Sequence, residues 1–242
     1  MLLQYETKLI SDKIKYIAGV DEVGRGALAG PMVVGAVILD TTHLNQLINI
    51  IRDADLSVTQ NPESASSTNN DVLSQEFINN YGEINDSKKL SAKKRTHLSQ
   101  FIQSICISYS LEIIDNTTID NTGISKCTQM GFYNAISKLK VKPHHILTDT
   151  FNIKAIPNIM QTNIIKGDSK SITIAAASIV AKVFRDNLME QIATTKPEYE
   201  PYLFAKNKAY GTKEHLEALN KYGPCDLHRK SYEPIKSMLA RA

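Results

Sequence analysis

Short runs of β-branched residues bounded by glycine and proline alternate along this chain with longer stretches whose apolar positions recur every three or four residues. The first pattern predicts strands and the second helices. Residues 15–20 and 32–39 read as strands, and the glycine-rich link 21–31 as a tight loop joining two neighbours in one sheet. A short helix is expected over 43–52. The stretch from 53 to about 82, dense in Ser, Asn, Thr and Asp, reads as a surface insertion or flexible loop. Order returns at Asn85-Asp86-Ser87-Lys88-Lys89-Leu90, with Ser91 as the N-cap of a helix reaching about residue 104. Residues 107–114 predict a strand, and 124–139 a helix with Met130, Tyr133 and Ile136 near one face. Strands at 145–149 and 163–165 end at Asp149 and at Lys166-Gly167-Asp168, ahead of a long alanine-rich buried helix over 172–192. Beyond Pro197 the chain turns basic, with short helices at 213–221 and 233–240. Strands first, then strands alternating with helices, predict an α/β domain with a mixed central sheet.

Length and charge sharpen this outline. At 242 residues there is room for one large domain or two small ones. The net charge of +3 conceals an asymmetry. Residues 53–85 carry −6 with no Lys or Arg, which leaves +9 on the rest of the chain and points to a polyanionic partner. No apolar run is long enough to span a membrane, and the first 13 residues have scattered charges and no apolar core, so no membrane partner and a cytoplasmic protein are expected. Cys106, Cys127 and Cys225 are widely spaced and outside any CxxC pattern, and read as small buried hydrophobes.

Four acids stand out by position. Asp21 and Glu22 close the first strand, Asp149 closes the strand after His145, and Asp168 precedes the long helix. Strand ends are where chemistry collects in open α/β sheets. Clustered carboxylates repel one another unless a cation neutralises them, and hard oxygen ligands select Mg²⁺ or Mn²⁺. Such a cluster on a basic body suits a two-metal phosphodiester hydrolase, in which one ion generates hydroxide and the other stabilises the departing oxygen. Adjacent strand residues point to opposite faces, so Asp21 and Glu22 need a bend to share an ion. Gly24-Arg25-Gly26 follows directly, and glycine lets backbone approach a sugar or phosphate closely. Lys88, Lys89, Lys93, Lys94 and Arg95 gather at a helix start, where cations oppose the helix dipole; the cluster reads either as phosphate contact or as an ordinary solvated face. His215 and His228 are given no part in the chemistry.

Read together, Ala18-Gly19-Val20-Asp21-Glu22-Val23-Gly24-Arg25-Gly26, Asn85-Asp86-Ser87-Lys88-Lys89-Leu90 and Lys166-Gly167-Asp168-Ser169-Lys170-Ser171 resemble the signatures of the ribonuclease HII family. So do Ala175-Ala176-Ala177-Ser178-Ile179-Val180-Ala181-Lys182 and Tyr210-Gly211-Thr212-Lys213-Glu214-His215. The resemblance implies an RNase H-like mixed sheet flanked by helices over residues 1–195, with a small helical substrate-binding portion over 196–242. It implies hydrolysis of RNA in RNA–DNA hybrids with two Mg²⁺ or Mn²⁺ ions. Duplex DNA containing a lone ribonucleotide would be cut on its 5′ side to leave a 3′-hydroxyl, and the protein would work as a monomer. By the same likeness Asp21, Glu22, Asp149 and Asp168 are the metal-binding catalytic acids. Gly24, Arg25 and Gly26 sense the 2′-hydroxyl, Tyr210 stacks on the sugar, and Ser87 and Lys88 touch phosphates. The chain departs from the family pattern at Thr150 and Ala209, where that pattern has glycine, and at Asn207, where it has histidine. It departs again in the acidic insertion, expected to sit away from the substrate groove. Competing readings are another two-metal nuclease on the same fold and a non-catalytic nucleic-acid-binding module.

Overall fold

The structure is a computed structural model describing residues 2–11, 14–57 and 73–241. In chain order its elements are α1 (Gln4–Leu9), β1 (Ile17–Val23), β2 (Met32–Leu39), α2 (Thr41–Ser57), α3 (Gln75–Glu83), α4 (Ala92–Ile105), β3 (Cys106–Ile114), α5 (Asn116–Thr122), α6 (Ile124–Ser137), β4 (His145–Asp149), β5 (Gln161–Ile164), α7 (Ile172–Ala193), α8 (Phe204–Asn207), α9 (Lys213–Tyr222) and α10 (Ile235–Leu239). All five strands and the longer helices fall near the expected positions, while α1, α3, α5 and α8 are elements the hydrophobic pattern does not predict.

The strands form one mixed sheet in the order β3-β2-β1-β4-β5. The β1–β2 and β2–β3 pairs are antiparallel; β1–β4 and β4–β5 are parallel. A parallel pair needs a crossover, supplied here by the chain between β3 and β4 that carries α5 and α6. Side chains alternate along β1. Ile17 packs with Ile174, and Val23 with Ala181, on the α7 face. Ala18 and Val20 join Phe132 and Ala135 on the α6 face. Gly19 lets α7 lie directly on the strand, since a Cβ there would fall 2.0 Å from the Thr173 carbonyl carbon. The start of α7 is held from far away in sequence. Buried Glu6 accepts hydrogen bonds through Oε1 from Ser171 Oγ (2.6 Å), Thr173 N (3.1 Å) and Thr173 Oγ1 (2.9 Å), and burial pushes its carboxyl pKa up.

The chain beyond residue 196 shares a core with the main body: Tyr199, Tyr202, Phe204, Ala218, Leu219 and Ile235 pack with Leu28, Ala29 and Met189.

Two expectations are corrected. The helix expected over 43–52 runs on to Ser57, and the polar stretch 53–82 is not all loop. Its later part is α3, capped by Ser74 and anchored where Phe77, Tyr81 and Phe101 pack edge to face, while 58–72 lies outside the described residues. On α6, Met130 and Tyr133 are exposed; the face turned to the sheet is Cys127, Thr128, Gly131, Phe132 and Ala135. Among the described residues no helix is long and apolar enough to cross a membrane.

Candidate active site

At the end of β1 a cleft of about 420 Å³ gathers most of the residues singled out above. Asp21, Glu22, Gly24, Arg25, Gly26, Ser87, Lys88 and Tyr210 all line it, with Ser178 and Lys182 from α7 as additions. Strand β1 stays paired with β2 through Val23, but its pairing with β4 stops at Val20, so Asp21 and Glu22 leave opposite faces of the strand at an open end of the sheet and both line the cleft without the expected bend. Asp21 turns toward α7 and accepts a hydrogen bond from Ser178, whose hydroxyl lies 3.1 Å from that of Ser87. Glu22 rises on the other face with Oε2 buried and without a hydrogen-bond partner. Asp149 and Asp168 stand at the margin. Asp149 Oδ1 accepts from Gly167 N (2.7 Å) and Thr150 Oγ1 (3.2 Å), and Asp168 lies 3.4 Å from the exposed Lys88 ammonium.

Burial comes first among the forces on these acids, and repulsion follows. Asp21 is pushed up to about 7 by desolvation, with the charges of Asp149 and Asp168 adding to it. Glu22 is pushed up to about 8 by desolvation and then by Asp21, against the opposing pull of Arg25. Desolvation also raises Asp168, opposed by Lys88. Among the described residues no three His, Cys, Asp or Glu side chains form a ready-made metal cage. The donor set nevertheless fits a hard divalent cation. It is all carboxylate, its charges oppose one another, and Glu22 Oε2 is an orphaned buried acceptor.

Glycine has distinct reasons in the loop. Gly24 has φ +85°, and a Cβ would lie 2.0 Å from Arg185 Nε; at Gly26 a Cβ would meet nothing within 4 Å, so that backbone is open to a ligand. The Arg25 guanidinium sits 4.7 Å from the centre of the Phe151 ring. Ser87, expected to touch phosphate, is buried on the cleft floor, whereas Lys88 is exposed.

Tyr210 is half-buried, its ring centre 5.4 Å from Lys182 Nζ and 5.3 Å from Arg185 Cζ. Its backbone is fixed by the two histidines that the sequence left without a role. His215 Nδ1 lies 2.9 Å from the Tyr210 carbonyl, His215 Nε2 lies 3.0 Å from His228 Nε2, and Cys225 N donates to His228 Nδ1 at 2.9 Å. A carbonyl only accepts, so His215 donates from Nδ1 and accepts at Nε2; His228 then donates from Nε2 and accepts at Nδ1. Both rings are neutral in this chain, and burial drives His228 down to about 4. The departures from glycine fall where backbone conformation matters: Thr150 has φ +60° and Ala209 φ +64°.

Sequence reasoning missed Ser178, Lys182 and Arg185. Their spacing on α7 puts all three on one stripe of an otherwise apolar helix, which is a readable signal.

Comparison with known proteins agrees with the geometry. A family model described as Ribonuclease HII matches residues 18–53 and 70–235. A protein named Ribonuclease HII from Caldanaerobacter subterraneus is 43% identical over 228 residues, covering 94% of this chain and 78% of its own length. The crystal structure of ribonuclease H2 from Pyrococcus horikoshii superposes with a TM-score of 0.66 at 22% identity, over 93% of this chain and 98% of that one. Bst-RNase HIII in complex with Mn²⁺ superposes with a TM-score of 0.57 at 18% identity, over 96% of this chain and 71% of that one. These two likenesses bear on the fold.

Proposed function

The chain belongs to the ribonuclease HII family, an endoribonuclease family acting on RNA–DNA hybrids with divalent metal, and on that premise we propose how its own residues divide the work. Asp21, Glu22, Asp149 and Asp168 would hold the ions, with Mg²⁺ or Mn²⁺ as the cations their hard oxygens suit. Bound divalent ions lower the pKa of a water nucleophile and stabilise charge on a departing oxygen. The observation that carries this assignment is the convergence of mutually repelling carboxylates, one with an unpartnered buried oxygen, beside the open glycine backbone.

The other residues handle the strand. Lys88 and Lys182, beside the acids, meet phosphate. Ser87 steadies Ser178, which in turn orients Asp21. Gly24, Arg25 and Gly26 read the 2′-hydroxyl, with the Gly26 backbone open to the ligand, and Tyr210 offers a ring to the adjoining sugar. Discriminating one hydroxyl works because the groups facing it are left unpaired when it is missing. The substrate therefore includes a single ribonucleotide in duplex DNA, incised on its 5′ side to leave a 3′-hydroxyl. Residues 1–195 form the catalytic part and 196–242 the substrate-binding part of one monomeric, cytoplasmic protein.

The test maps metal-dependent incision on a duplex with one ribonucleotide and on its all-DNA equivalent. Cleavage of the first alone is expected. Asp149→Asn should lose nearly all cleavage while binding hybrid as tightly as wild type, and undiminished turnover would reject the site.

A further inference from the structure

We infer that Arg185 is a positioning residue that locks the two ribose-reading parts, the Gly24–Gly26 loop and Tyr210, at a fixed separation. The inference rests on the reading of those two parts given above. Arg185 is fully buried in the middle of α7, where a cation has a large desolvation cost unless its protons are matched. Its partners are carbonyls, drawn from two segments far apart in sequence. Nε donates to Pro31 O at 2.9 Å, at the end of the glycine loop, and Nη1 donates to Lys208 O at 2.9 Å, two residues before Tyr210. The neighbouring carboxylate, Asp186, pairs instead with Lys182 at 2.7 Å. The guanidinium also fills the space a Cβ on Gly24 would take and lies 5.3 Å from the Tyr210 ring centre, so one rigid planar group touches both readers.

Other contacts make the assembly a single body. Leu28 N donates to Ala209 O at 2.8 Å, a direct bridge between the segments. From the far side, buried Arg229 donates to the carbonyls of Gly24 (2.7 Å), Arg25 (2.8 Å) and Gly30 (3.0 Å). With these oxygens drawn inward, the loop has one backbone arrangement to offer. A fixed separation matters most where only one ribose is present, because both readers must then engage at a single junction. On a continuous RNA strand every register offers a ribose to each, and loosening the spacing costs less.

The experiment compares wild type with Arg185→Lys, which keeps the charge but loses the fork, and Arg185→Gln. Folding is checked by circular dichroism. KM and kcat are measured with Mg²⁺ and with Mn²⁺ on a duplex holding one ribonucleotide and on a continuous RNA–DNA hybrid. KM for the single ribonucleotide should rise at least tenfold, and that for the hybrid less than threefold. Equal losses on the two substrates would make Arg185 merely structural and overturn the inference. A double-mutant cycle in the wild-type background decides the matter even should both variants fail to fold. Arg25→Ala and Tyr210→Ala should be coupled at least fivefold in KM on the single ribonucleotide, and additive effects would overturn the lock. If instead each single change leaves ribose selectivity untouched, it is the reading of the loop and tyrosine that fails.

Discussion

Thr150 follows Asp149 at φ +60°, a backbone region costly for a β-branched residue and tolerated by asparagine. Thr150→Asn should therefore stabilise the protein by about 1 kcal/mol, seen as a Tm rise of about 2–4 °C; an unchanged or lower Tm would show that the Thr150 hydroxyl on Asp149 outweighs the strain. His228 presents the opposite case, a group whose environment suits its neutral form. It is enclosed by His215, Tyr202 and Cys225, next to Asp226, and its pKa falls to about 4 from an unfolded value near 6.5. Between these values the unfolded chain binds the extra proton, so stability is full above about 6.5 and declines as pH falls toward 4, by up to about 3 kcal/mol. Proton NMR of the His228 ring should find it neutral at pH 5.5. An ordinary midpoint near 6.5 would break the tautomer chain deduced for it.

Among the elements, those with strong local pattern were legible and those made by tertiary contact were not. The two strands flanking the glycine loop announce themselves through β-branched runs, the helix after Ser91 through its cap residue and the long helix α7 through its alanine-rich apolar length. Helix α3 is hidden because its polar sequence gains order from an aromatic cluster with α4. The inward face of α6 was not legible from its apolar residues, because Met130 and Tyr133 are exposed while Gly131 and Thr128 are buried. Candidate acids were legible from strand ends. The alanine-rich composition of α7 masked its polar stripe, though the spacing was there to be read. The contact between α7 and β1 allows a sharp comparison. Gly19→Ala forces a methyl into the Thr173 backbone and should cost about 3 kcal/mol or more. Gly26→Ala meets open space and should leave Tm unchanged while raising KM for a ribonucleotide substrate; equal thermal effects at both positions would contradict the packing.

At the scale of the whole molecule, charge is unevenly shared between a basic body and the acidic stretch at 53–85. Affinity for hybrid should fall steeply as salt rises, because lysines near the cleft displace counterions from phosphates. Titrations between 50 and about 200 mM salt should give a clearly negative log–log slope; a flat one would remove Lys88 and its neighbours from the phosphate path. The fold's closure also has an order in time. Glu6 caps a helix whose first turn lies 165 residues further on. On the ribosome, that carboxylate emerges 165 residues ahead of Ser171 and finds its partners only once Ser171 and Thr173 have been made. The segment bearing Asp168 and Ser171 thus receives its N-terminal brace late, and a nascent chain stopped before Ser171 has the acids of β1 in hand without the helix that sets them.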